Sequence, residues 1–79
     1  MDIFSIRLKE LRLEKGLTQK QLAHTLKTTD DSIFSWEKGR SQPPIETIRQ
    51  LCIVLDTSAD YLLGLEDETG AKTTPEKFF

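Results

Sequence analysis

The sequence is poor in the residues that carry chemistry: it holds one cysteine and one histidine. Cys52 has no second thiol for an internal disulfide and no partners at metal-ligand spacing. It lies in Leu51-Cys52-Ile53-Val54-Leu55 and reads as a small core residue. His24 stands beside Ala23 with no nucleophile or carboxylate pair near it, and no glycine-rich phosphate loop occurs. No catalytic constellation can be assembled, so neither an enzyme nor a cofactor nor a small-molecule ligand is expected. No apolar run of about 18 residues is present, which excludes a membrane-spanning helix. Met1-Asp2-Ile3-Phe4-Ser5 lacks the basic-then-apolar pattern of a secretory leader, so a cytoplasmic location is expected. Strand alternation, internal repeats and low-complexity segments are missing as well.

A strong positive charge is also missing. The formal net charge of the 79 residues is −2. Residues 3–64 hold nine Lys/Arg and eight Asp/Glu, and residues 65–79 hold two lysines and four acids. The main body is therefore nearly neutral and the acidity peripheral. Non-specific attraction to a polyanion should be weak.

What is present is helical periodicity, broken at regular intervals. Asp2 can cap a first helix from Ile3, with Phe4, Leu8, Leu11 and Ile6 as its apolar stripe and Gly16 as its stop. Thr18-Gln19-Lys20-Gln21 has the capping-box pattern and opens a second helix with Leu22, Ala23 and Leu26 inward. After a tight turn at Lys27-Thr28, Thr29 caps a third helix, about 29–38, with Ile33 and Trp36 inward and Gly39 after it. Pro44 suits the first turn of a fourth helix, whose inner stripe is Ile45, Ile48, Leu51, Cys52 and Leu55. Asp56-Thr57 turns the chain, and Ser58 caps a short fifth helix, Ala59 to Leu63. The reading is one all-α domain of five helices over residues 3–64, with the pair at 18–27 and 29–38 forming a helix-turn-helix. Residues 65–79 read as a polar, mobile tail ending in the apolar pair Phe78-Phe79.

The residues now resemble a known family. "RLKELRLEKGLTQKQLA" (7–23) is similar to the first two helices of the lambda-repressor-like, Cro/CI-type (Xre-type) helix-turn-helix proteins of phages and bacteria. Ile33-x-x-Trp36-Glu37-x-Gly39, followed by Pro43, is similar to the family's third helix and the loop after it. "IRQLCIVLDTSADYLLG" (48–64) resembles its closing helices. The resemblance covers residues 6–64, about three quarters of the chain, and the order and spacing of the motifs make it specific. It implies a bacterial or phage-encoded, lambda-repressor-like DNA-binding domain. It also implies that Arg12, near the end of helix one, pairs with Glu37 and ties helix one to helix three.

In such a fold the third helix enters the major groove of double-stranded DNA. Helical geometry leaves Asp30, Asp31, Phe34, Ser35 and Lys38 on its outer face. Asp30, Asp31, Phe34 and Ser35 are the base-reading candidates, while Lys38 suits a phosphate. Ser35 can donate or accept a hydrogen bond, and Phe34 either packs on a thymine methyl or is an ordinary exposed aromatic. The two aspartates admit three readings: helix-start residues complementing the positive N-terminus, a carboxylate accepting from a cytosine amino group, or a face that has lost strong DNA binding. Backbone N–H groups at the start of helix two, with Thr18, Gln19 and Lys20, form a candidate phosphate site. Arg40, Ser41 and Gln42 are placed to touch the neighbouring backbone. Lys9, Lys15 and Lys27 read as solvated.

These features point to a sequence-specific transcription regulator, a repressor acting as a homodimer on a pseudo-palindromic site, with helices four and five as the dimer surface and Ile53 and Tyr61 contributing. The competing reading is a protein-interaction module, antitoxin-like or a regulatory partner, using the Phe34/Asp face or the Phe78-Phe79 end.

Overall fold

The computed structural model describes residues 2–67 and 69–72. Five helices follow one another: α1 (Ile3–Glu14), α2 (Gln19–Leu26), α3 (Asp30–Glu37), α4 (Ile45–Val54) and α5 (Ala59–Leu62). The described residues contain no named strand, only an isolated bridge between Glu66 and Lys72.

Side-chain caps decide where most of these helices begin. The Asp2 carboxylate accepts from the Ser5 backbone N–H at 2.9 Å, and the Ser5 hydroxyl donates back to the Asp2 carbonyl. The Ser5 N–H holds the Asp2 carboxyl below its ordinary range. The capping box at α2 is complete: Gln21 N–H donates to Thr18 Oγ1 at 3.0 Å and Thr18 N–H to Gln21 Oε1 at 2.9 Å. Thr29 accepts from Ser32 N–H and Ser58 from Tyr61 N–H in the same way. Each such cap satisfies one of the four donors a helix start leaves unpaired, and contributes about 1 kcal/mol. Pro44 stands one position earlier than expected. It is the N-cap of α4, with φ −60° and ψ 159°, and it supplies no side-chain cap.

The helix ends follow backbone geometry. α3 closes with Gly39 N–H on the Trp36 carbonyl and Arg40 N–H on the Ser35 carbonyl at 3.0 Å. This paired closure needs a left-handed residue, and Gly39 provides it at φ +73°. α2 ends on Lys27 at φ +58°, so a non-glycine residue bears that conformation in the turn of the helix-turn-helix. At the end of α5, Gly64 combines φ +83° with a close approach. A Cβ there would stand 2.8 Å from Ile3 Cγ2, so the start of α1 packs against bare backbone.

All five helices meet at one core. Leu8, Leu22, Ile33, Leu51, Leu55 and Leu62 are fully buried, with Phe4, Ala23, Leu26 and Trp36 around them. Two expectations need correction. Ile6 is 43% exposed: it lies two residues from both Phe4 and Leu8, about 200° around the helix from each, and so faces away from the core. The fourth place in the α1 stripe belongs instead to the buried Arg12. Ile45, the first residue of α4, is 86% exposed, while Pro43, two residues earlier, is buried. The inner stripe of α4 reduces to Ile48, Leu51, Cys52 and Leu55. Cys52 is half-buried, and burial pushes its thiol pKa up, away from reactivity.

The chain does not leave the globule at Gly64. Arg7 donates to the Tyr61 carbonyl and, at 2.8 Å, to the Glu66 carbonyl, and its guanidinium lies 4.0 Å over the Tyr61 ring. Lys72 bonds Asp60 and Glu66, while Asp67 accepts from the backbone N–H groups of Thr69 and Ala71. Residues 66–67 and 69–72 thus pack back against α5. Phe78-Phe79 lies outside the described residues.

Candidate nucleic-acid interface

The sequence pattern that builds α3 also divides it. Ile33, Trp36 and Glu37 are buried, and Ser35 is half-buried. Asp30, Asp31, Phe34 and Lys38 are exposed on the outer side, with Phe34 at 39%. Helical rise separates the leading acids from the trailing end of the helix by about 10 Å.

A buried carboxylate fixes that trailing end. Glu37 receives Arg12 through two bonds, Nε–Oε2 at 2.6 Å and Nη2–Oε1 at 3.0 Å. A third guanidinium nitrogen, Nη1, donates to the Leu17 carbonyl at 2.8 Å. Both side chains are nearly inaccessible, at 8% and 3%. Oε1 of Glu37 also accepts from Gln19 Nε2 at 3.1 Å. One carboxylate therefore binds the end of α1, the start of α2 and the end of α3. No buried side-chain polar atom among the described residues is left without a partner. That matters here, since a buried charge pair is tolerable only when its remaining donors and acceptors are satisfied.

Gln19 thus has a structural partner as well as a place beside the candidate phosphate site. The Thr18 side chain is taken up by its cap. The N–H groups of Gln19 and Lys20, the first two of α2, have no intrahelical partner, as helix geometry requires, and none is formed among the described residues. They stand next to the trailing half of α3, because Gln19 touches Glu37. An anion reaching this point would meet two free donors, the positive end of the α2 dipole and the exposed Lys20.

The loop after α3 joins the same surface. Ser41 donates to Ser35 Oγ at 3.0 Å. Lys38 Nζ and the Arg40 guanidinium each lie over the Phe34 ring, 5.5 Å from its centroid. Gln42 is exposed and lies beside Pro43. The side chains of Asp30 and Asp31 make no hydrogen bond or ion pair among the described residues; they occupy the first turn, after the Thr29 cap. The outer face of α3 is therefore polarised, with carboxylates leading and cations trailing. Sequence reasoning identified the residues of this face. It missed the Gln19–Glu37 and Ser35–Ser41 bonds, and nothing in residue spacing signals either.

A second feature lies on α4 and α5. Ile45, Ile53 (68% exposed) and Leu63 project into solvent beside Ala59, Arg49 and the half-buried Cys52 and Ile48, lining one apolar groove. Tyr61 is not part of it: its ring faces Arg7 of α1. No helix of the described residues is long and apolar enough to cross a membrane.

Comparison with known proteins places this geometry. A family model described as helix-turn-helix matches residues 8–62. The HTH-type transcriptional regulator ImmR of Bacillus subtilis is 36% identical over 66 residues, covering 84% of this chain and 51% of that protein. The chain spans about half the length of that relative. Among solved structures, the P22 c2 repressor in complex with synthetic operator 9T superposes with a TM-score of 0.74 at 25% identity, covering 80% of this chain and 96% of that one. The biofilm regulator SinR in complex with DNA superposes with a TM-score of 0.70 at 30% identity, covering 76% and 97%.

Proposed function

This chain belongs to the helix-turn-helix family matched over residues 8–62, and from that membership we propose that it is the DNA-binding part of a transcription regulator, a repressor that reads the major groove with α3. The family is one of DNA-binding regulators rather than enzymes. The observation that carries the reading is the junction of Gln19 with Glu37. It sets the free N–H groups of α2 beside the trailing half of α3, so one surface offers phosphate donors and base-reading side chains together. Gln19, Lys20, Lys38, Arg40, Ser41 and Gln42 then contact phosphates, and Asp30, Asp31 and Ser35 face the bases. The likeness to two repressor–DNA and regulator–DNA complexes supports this assignment.

The protein acts as a homodimer joined through the apolar groove of α4 and α5. Ile45, Ile53 and Leu63 there have no covering partner within the described chain. Two α3 helices would then meet the major groove about one helical turn apart, roughly 34 Å, and select a pseudo-palindromic site. Selection of bound sequences from random duplex DNA, followed by titration across salt, tests the reading. The expected result is a two-fold-related motif and a negative slope of log affinity on log salt. No enrichment at low salt would overturn it and favour a protein partner instead.

A further inference from the structure

We propose that Phe34 is a positioning residue, its ring holding Lys38 and Arg40 together as a paired phosphate clamp at the trailing end of α3. The inference rests on the reading of α3 as a DNA-contacting helix and assigns Phe34 a role other than reading a base.

Lys38 and Arg40 are exposed, carry like charges and stand two residues apart. Left to themselves such side chains repel one another and sample many rotamers. Here both lie over one aromatic ring, each 5.5 Å from the centroid. The negative face of the ring attracts both cations and offsets part of their mutual repulsion. Backbone geometry makes the convergence possible. Arg40 N–H closes the helix on the Ser35 carbonyl at 3.0 Å, which turns the chain back along α3, and Ser41 then bonds Ser35 at 3.0 Å. Arg40 is thereby returned to the turn that carries Phe34.

Neither cation has an acid to answer to. No ion pair involves Lys38 or Arg40 among the described residues, and the neighbouring Glu37 is committed to Arg12. Asp31 and Asp30 lie three and four residues before Phe34, toward the leading end of α3. The two charges remain available for an anion, each 5.5 Å from the same ring centroid.

Phe34→Leu tests this, because leucine keeps an apolar contact but has no aromatic face. Phe34→Tyr is the conservative control. Affinity for random-sequence duplex and for the selected site is measured across salt by fluorescence anisotropy. Phe34→Leu should lower the magnitude of the salt slope by about 0.9 to 1.8, the loss of one or two phosphate contacts, and leave the selected sequence unchanged. Phe34→Tyr should keep the wild-type slope. An unchanged slope in Phe34→Leu, with or without relaxed preference at one base pair, overturns the proposal. A second arm needs no DNA. The Lys38 Hε and Arg40 Hδ protons should show upfield ring-current shifts that vanish in Phe34→Leu, and ordinary shifts in the wild type would overturn the clamp directly. Wild-type protein that binds no duplex would sink the functional reading itself, and the phosphate role with it, whereas the proton shifts report separately on whether the ring holds the two cations.

Discussion

Gln19, the first residue of α2, and Glu37, the last residue of α3, are joined side chain to side chain at 3.1 Å. The same carboxylate holds Arg12 in a bidentate pair. The relative placement of the two helices of the helix-turn-helix is therefore tied to a buried ion pair between α1 and α3.

Removing one partner of that pair should be severe. Glu37→Ala leaves the Arg12 guanidinium buried and unpaired and should lower stability by about 3–5 kcal/mol, as much as a domain of this size commonly has. Arg12→Met combined with Glu37→Leu should destabilise less than the sum of the two single changes. Urea unfolding followed by far-UV circular dichroism measures both. A loss of under about 1 kcal/mol in Glu37→Ala, the range of an exposed pair, would contradict the burial described.

The leading aspartates give a sharper alternative. If Asp31 accepts from a cytosine, Asp31→Asn should weaken or relax selection at one base pair by about 1–3 kcal/mol. If both acids serve only the α3 dipole while repelling phosphate, Asp30→Asn and Asp31→Asn should each tighten binding to every duplex without changing the selected sequence. Competition binding with single-base variants of the site separates the two outcomes.

The α4/α5 groove makes a prediction about assembly. Ile45→Lys with Ile53→Lys, both at solvent-exposed positions, should leave the thermal midpoint within a few degrees of wild type. Sedimentation should then report a monomer. Affinity for the two-fold site should fall by about 10²–10⁴, the benefit of joining two half-sites, while binding to an isolated half-site persists. A double variant that still sediments as a dimer would move the interface elsewhere.

Acid should loosen residues 66–67 and 69–72 from α5 before it loosens the core. The Ser58 hydroxyl, then Lys72, hold the Glu66 carboxyl below its ordinary value of 4.5. A depressed carboxyl contributes stability that is fully present above that value and is lost as pH falls through the lowered one. Amide exchange at Asp67 and Ala71 should therefore quicken below about pH 4.5. In Glu66→Gln that pH dependence should largely disappear. The exposure of the group keeps the effect small and local. Exchange that stays flat down to pH values where the whole domain unfolds would contradict this.

Much of this architecture is legible in the chain because the signals are local. Asp2, Thr18, Thr29 and Ser58 lie three residues from the amides they cap, and such spacing can be read directly. The residues facing outward on α3 follow from 100° per residue. Where the signal is not local, the reading stops. Ile45 has the right spacing for the α4 stripe, yet it stands at the helix start and is exposed, while Pro43 before it is buried. Arg12 occupies an inward position that a count of apolar residues passes over; only the family resemblance pointed to its pairing with Glu37. Arg7 reaches a carbonyl 59 positions away, and Lys72 bonds Asp60 of α5 together with Glu66. Contacts across such separations leave no periodicity to detect.

The polarised α3 has a kinetic consequence. On the proposed reading, a domain whose net charge is −2, with acids at one end of α3 and cations at the other, is held only loosely by the wrong sequence. Its dwell on random duplex should be brief, and its search should proceed through repeated short encounters more than by long one-dimensional sliding. The cations would also engage first, so productive collisions are those that bring the trailing end of α3 to the backbone before the aspartates arrive at the groove.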